Sequence, residues 1–154
     1  MPHITACPDS IPIPFIQKNL VRMMTMSFDE AVRRILDGKN FATVATLGPD
    51  GAPQSSVVWV KRDGDTVLFS TTLSRQKARN LTKDPRVSIS IFDIENPYAS
   101  VEIRGTAELI ADDDKALPRE LSRKYLGEDP PRDEPHEIRM IVRITPRKVV
   151  SFAV

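Results

Sequence analysis

Thr66–Val87 reads TVLFSTTLSRQKARNLTKDPRV. Residues Thr66 to Thr72 alternate β-branched and apolar side chains, the pattern of a strand. Helix formers follow from Arg75 to Leu81, with Ser74 expected as the N-cap. Asp84-Pro85 forbids continuation, because a proline disfavours helical geometry in the residue before it. The junction aims the hydroxyls of Ser70, Thr71 and Thr72, the free N–H groups of a helix start and the cations Arg75, Lys77 and Arg79 at one small volume. Two readings stand at this point. One is an anion site built from helix-start N–H groups and charge-assisted donors; the other is a strand followed by a solvated basic helix.

Upstream of this stretch, residues 1–22 carry Pro2, Pro8, Pro12 and Pro14 without a sustained period and are expected to form an irregular arm, leaving 23–154 as one domain. Ser27-Phe28-Asp29-Glu30 has the form of a capping box in which Ser27 caps the helix. Phe28, Val32, Ile35 and Leu36 then share a face before Gly38 stops the helix. Phe41–Leu47 alternates as a strand, Gly48-Pro49-Asp50-Gly51 turns it back, and Pro53–Lys61 is expected as its hairpin partner. A second turn, Arg62–Asp65, leads into the Thr66 strand.

Downstream, Arg86–Phe92 places Val87, Ile89 and Ile91 on one face and Ser88 and Ser90 on the other. A longer strand, Ala99–Ile110, contains Gly105, which signals a bulge or a close backbone approach. Asp112-Asp113-Asp114 is expected to start a helix ending near Tyr125, its acids capping and offsetting the dipole and not binding metal. Ile138–Ile144 and Val149–Phe152 are expected to flank a turn at Thr145–Lys148. The result is a mainly β (α+β) chain with six or seven short antiparallel strands and short flanking helices, better suited to a small closed barrel than to a parallel sheet.

Composition narrows the function. The chain has 154 residues, 28% of them charged, and a net charge of +1, so no global field recommends nucleic acid or an anionic membrane. One cysteine, Cys7, excludes an internal disulfide, and no run approaches the ~20 apolar residues of a membrane span. A cytoplasmic location is the expectation. The two histidines, His3 and His136, have no neighbours at ligand spacing, and the six glycines are scattered, so no zinc site, histidine triad, P-loop or dinucleotide fingerprint can be assembled. A chain this poor in catalytic groups either takes its chemistry from a cofactor or is not an enzyme.

Gly51-x-Pro53 before Ser56-Val57-Val58-Trp59-Val60, Gly64-Asp65-x-Val67-x-Phe69-Ser70-Thr71, and Lys77-x-Arg79-Asn80-Leu81-x-x-Asp84-Pro85-Arg86-Val87 together resemble the split β-barrel family of pyridoxamine 5'-phosphate oxidase-like, FMN-binding-like proteins. Within it the chain is most similar to the actinobacterial and archaeal branch that uses coenzyme F420, a deazaflavin with a phosphate-linked oligoglutamate tail. The resemblance runs from Ser27 to the C-terminus.

It implies a split barrel acting as an F420-dependent oxidoreductase on a small unsaturated or conjugated substrate, at the interface of a homodimer. Lys77 and Arg75, with the intervening Gln76 and the adjacent Ala78, would hold the phosphate, Ser70 would hydrogen-bond nearby, and the ring would lie along Val58 and Val60. Tyr98 would come from the second subunit. No catalytic side chain and no metal ligand is assigned. Arg79, about 40° from Arg75 and about 160° from Lys77 around a helix, would serve the oligoglutamate tail or a surface ion pair. The alternatives are an FMN-binding enzyme of the same fold and a non-catalytic F420-binding protein. Ser55 and Ser56 stand where the oxidases place a phosphate-binding arginine, which disfavours a pyridoxamine phosphate oxidase.

Overall fold

The computed structural model describes residues 26–152. The expected N-terminal arm, 1–22, lies outside them. Seven strands form one antiparallel sheet: β1 (Ala42–Leu47), β2 (Pro53–Val58), β3 (Lys61–Asp63), β4 (Thr66–Thr72), β5 (Arg86–Phe92), β6 (Ser100–Ala111) and β7 (Arg139–Phe152). Their order is β2-β1-β5-β6-β7-β4-β3. The two outermost strands, β2 and β3, are consecutive in the chain and joined only by Trp59 and Val60. So short a link holds the sheet's two ends together and curls it into a split barrel.

The interior is apolar. Val44 from β1, Val67 and Phe69 from β4, Ile89 and Ile91 from β5, Val101 and Ile103 from β6, and Val142 and Ile144 from β7 are all essentially buried. In β5 the expected face of Val87, Ile89 and Ile91 points inward. Helix α1 (Glu30–Asp37) closes the barrel with Val32, Ile35 and Leu36, joined by Phe28. The N–H of Phe28 donates to Asp65 Oδ1 at 3.0 Å, fixing the helix entry to the β3–β4 turn.

Four local expectations are corrected. Asp29, not Ser27, caps α1, its carboxylate accepting from the Val32 N–H, so Glu30 begins the helix and cannot complete a capping box. The second helix, α2 (Gln76–Lys83), starts after Arg75 and has no side-chain cap; Ser74 is drawn away, donating to Glu137 Oε2 at 3.1 Å and lying 3.2 Å from the Thr72 hydroxyl. The strand expected from Pro53 to Lys61 breaks at Trp59-Val60 into β2 and β3. Finally, no turn interrupts Thr145–Lys148. β7 runs on past Gly105, which pairs with Pro146 while Arg104 pairs with Lys148, so Arg147 is the extra residue of a bulge. The glycine signal in β6 was sound; the proline opposite it belongs to the bulge and not to a turn.

Helix α3 (Ala116–Leu126) begins after Lys115, later than the acidic triplet suggested, and of the three acids only Asp112 takes the capping role. The buried Asp112 carboxylate accepts from the N–H groups of Ala116 and Leu117. Leu117 and Leu121 pack α3 on Leu68 of β4.

Candidate functional site

The split between β2 and β3 is where a groove opens. It is a cavity of about 320 Å³ lined by Phe41, Val57, Val58 and Trp59 on one side, Pro118, Leu121 and Pro130 on another, and the polar groups of Ser70, Arg75 and Arg139. The apolar walls follow from the barrel geometry: β2 carries Val58 to its end, and the link residue Trp59 turns outward where pairing stops. Tyr125 of α3 stacks on Trp59 with ring planes 7° apart and centroids 5.2 Å apart. That stack fixes the indole as a flat wall.

Polar side chains fix the link itself. The Tyr125 hydroxyl donates to the Asn40 carbonyl at 2.6 Å and accepts from the Val60 N–H at 3.2 Å. Lys124 Nζ donates to the carbonyls of Leu36 and Val60 at 2.8 and 2.9 Å, and burial lowers its pKa to about 8. Val60 is therefore accounted for: its side chain is core and its N–H and C=O are both engaged by α3. Of the two residues expected to face a ring, the groove contains Val58 and not Val60.

At the other end sits the α2 start. Arg75 is exposed and lines the groove; Lys77 is 8% exposed and faces the barrel side of the helix. Burial, and next the neighbouring Arg75, lower the Lys77 pKa below the ordinary lysine value. Among the described residues Lys77 has no ion-pair partner and no side-chain hydrogen bond. Among those residues the N–H groups of Gln76 and Lys77 also have no backbone acceptor, whereas those of Ala78 and Arg79 bond to the Arg75 carbonyl. A partly desolvated ammonium group is costly without a counter-ion, and two open helix-start donors beside it favour an anion. Arg79 turns back instead, donating to the Ser74 carbonyl and to Gln76 Oε1, so it belongs to the surface.

The Lys-x-Arg-Asn-Leu-x-x-Asp-Pro-Arg block holds this helix in place. Gln76 Nε2 donates to Asn80 Oδ1 at 2.7 Å, Asn80 Nδ2 donates to Thr46 Oγ1 at 3.0 Å, and Thr46 Oγ1 donates to Gln54 Oε1 at 3.2 Å. This chain of bonds ties α2 to β1 and β2. Leu81 enters the core, and Asp84 accepts from the Arg86 N–H and guanidinium as the chain turns into β5.

Arg139 was not anticipated. Its guanidinium donates to both oxygens of Asp133 and, at 3.3 Å, to the Ser70 hydroxyl. That bonding raises the arginine pKa and holds the carboxyl of Asp133 below its usual range. No local pattern marks Arg139; it reaches Ser70 because β7 pairs with β4, with Thr72 opposite Arg139. Trp59, the one tryptophan, was visible as part of a motif, and its position at a strand break is what exposes it. Tyr98 lies in the β5–β6 loop, 79% exposed and away from the groove of its own chain. Ser56 and Thr71 each bury a hydroxyl that has no partner among the described residues. No group of three potential metal ligands occurs among the described residues. None of their helices is long and apolar enough to cross a membrane.

A split barrel whose open seam joins an apolar groove to a cationic helix start defines a class of cofactor-binding barrels. The sequence profile of the pyridoxamine 5'-phosphate oxidase family matches residues 28–152, and the chain belongs to that family. A pyridoxine/pyridoxamine 5'-phosphate oxidase of Cupriavidus pinatubonensis is 33% identical over 88 residues, 56% of this chain and 41% of that one. The chain thus spans less than half the length of such curated relatives. Among solved structures, an F420 reductase superposes with a TM-score of 0.72 at 31% identity, covering 80% of this chain and 98% of its own. A conserved hypothetical protein of Mycobacterium tuberculosis gives 0.67 at 25% identity, covering 84% and 86%.

Proposed function

We propose that the protein is an oxidoreductase that binds coenzyme F420 in the groove and reduces a small unsaturated or conjugated substrate, working as a homodimer. The observation that carries this reading is the largely buried Lys77, without a partner among the described residues, beside the uncapped start of α2, with Arg75 at the groove's edge. An anionic cofactor phosphate satisfies both. The similarity to an F420 reductase over nearly all of that chain supports the deazaflavin in particular.

The residues divide the work. Lys77 and Arg75, with the open Gln76 N–H, bind phosphate, and Ser70, its hydroxyl held by Arg139, adds a hydrogen bond. Val58, Trp59, Phe41 and Leu121 form the dry wall that orients a flat ring and keeps water from it. A bound deazaflavin supplies hydride transfer. The groove lining offers only guanidinium groups among titratable side chains, so no residue is assigned as a proton donor, and water delivers the proton. For the dimer, exposed Phe92, Ile94, Tyr98 and Phe152 cluster where β5, β6 and β7 meet, Phe92 and Phe152 both pairing with Ser100. An apolar surface of that kind suits a second copy, with Tyr98 reaching the partner's groove.

A second reading, FMN in the same groove, is favoured by the family's oxidase members, which match at 27–33% identity. Parallel fluorescence titrations with F420 and FMN decide between them. Saturable micromolar binding of F420 alone is expected; preference for FMN overturns the deazaflavin assignment and keeps the phosphate site.

A further inference from the structure

One edge of the barrel is bare among the described residues. β4 pairs with β7 only from Arg139 to Ile144, and beyond that β7 has β6 on one side and no strand on the other. The direction of its backbone groups there follows from β5 and β6. The Asp93 N–H donates to the Ala99 carbonyl at 2.8 Å, so Ala99, Val101 and Ile103 turn their N–H and C=O groups to β5, and Ser100, Glu102 and Arg104 turn theirs to β7. Lys148, Val150 and Phe152 meet these last three, which leaves the N–H and C=O of Val149 and Ser151 pointing out of the sheet edge. No hydrogen bond from the described residues reaches them there. The side chains of Val149 and Ser151 lie opposite the buried Ile103 and Val101 and so face inward, yet Ser151 is exposed. The inner face is open beside it.

The chain enters next to this edge. Phe28 is tied to Asp65, two residues before Val67, the first β4 residue paired with β7. The eleven residues between Ile16 and Phe28 can span up to about 36 Å, more than the roughly 25 Å of β7 from Thr145 to Phe152. Ile11–Ile16 reads IPIPFI. A residue before proline is driven to extended geometry, so Ile11 and Ile13 favour a strand. Backbone N–H groups alternate between the two edges of a strand: those of Ile11, Ile13 and Phe15 share one edge, and on the other Pro12 and Pro14 have none. Such a segment is built to pair on one side.

We infer that Ile11–Ile16 of the same chain adds an eighth strand to this edge, antiparallel to β7, its N–H and C=O groups pairing with those of Val149 and Ser151. Residues directly opposite share a face, so this pairing also lays Ile11, Ile13 and Phe15 over the open interior beside Ser151. One register serves both the bare backbone groups and the uncovered core. The prolines then form the outer edge, which offers no row of N–H groups to another chain.

The full chain is tested by amide hydrogen exchange read residue by residue. Slow exchange is expected at Val149, Ser151, Ile13 and Phe15. In I13P/F15P, which removes two donors and leaves an unpaired arm unaffected, Val149 and Ser151 are expected to exchange at least about tenfold faster, with Ile103 within about twofold of wild type. In T5P, outside the segment, all of them are expected to stay within about twofold. Fast exchange at Val149 and Ser151 in the wild type, or slow exchange that survives I13P/F15P, overturns the eighth strand. Mixing copies labelled with nitrogen and with carbon isotopes identifies whose arm is docked. Overhauser contacts between Ile13 and Ser151 are expected within one copy, and contacts found only between copies overturn the assignment to the chain's own arm. No cofactor enters the measurement, so it is readable whatever the groove binds.

Discussion

Gly105 and Thr145 approach each other more closely than any side chain would permit: a Cβ on Gly105 would lie 2.1 Å from the Thr145 carbonyl oxygen. The neighbour is backbone in a central pair of strands and cannot swing aside. Gly105→Ala is therefore expected to destabilise the barrel by about 1–3 kcal/mol, the cost of overpacking a rigid site. Urea unfolding measures this directly. A variant with the wild-type midpoint would show that the β6–β7 bulge relaxes freely.

Lys124 links the lid helix to the β2–β3 connection through two carbonyls, and its pKa of about 8 sets a pH dependence. The folded value lies below the ordinary 10.5 that the unfolded chain has, so between them the unfolded state binds more protons. Stability contributed by this group then rises as pH climbs from about 8 towards 10.5, with a slope of at most about 1.4 kcal/mol per pH unit. The difference in unfolding free energy between wild type and Lys124→Met should grow over that window and stay flat below pH 7. Parallel curves for the two proteins at every pH would refute the assignment.

Much of this architecture could be read locally. Strict alternation in Val87, Ile89 and Ile91 gave β5 its inward face, and Asp112 announced a helix start that the Ala116 and Leu117 N–H groups complete. The cationic helix start at Arg75 and Lys77 was equally visible, because strand, helix start and cations are contiguous. What escaped local reading depends on partners distant in sequence. Pro146 signalled a turn until its pairing with Gly105 made it part of a bulge. Ser74 is an able cap, but Glu137, 63 residues away, competes for its hydroxyl. Val60 left the groove because Tyr125 and Lys124 occupy its backbone, and Arg139 entered it through β4–β7 pairing.

Trp59 is the only tryptophan and lines the groove, so it is a built-in reporter. Ring binding against the indole should quench its emission saturably, with the same dissociation constant that the cofactor's own fluorescence gives. Tyr125→Phe removes the bonds to Asn40 and Val60 yet keeps the stacking ring, and is expected to weaken cofactor binding several-fold by loosening that wall. Emission indifferent to cofactor would place the ring elsewhere.

Lys77 separates stability from function. Its side chain is largely buried and its ammonium group has no counter-ion among the described residues, so it carries a desolvation cost that an apolar side chain of similar length does not. Lys77→Met is expected to stabilise the free protein by about 1 kcal/mol, in the manner of residues kept for activity at the expense of stability. The same change, like Lys77→Ala, removes a charge-assisted contact to phosphate worth roughly 1.5–3 kcal/mol, which is about 10- to 150-fold in cofactor affinity. Thermal unfolding of the cofactor-free proteins and fluorescence titration with F420 give the two readouts independently. Lower stability with unchanged affinity would mean that Lys77 is a structural lysine and that Arg75 binds the phosphate without it.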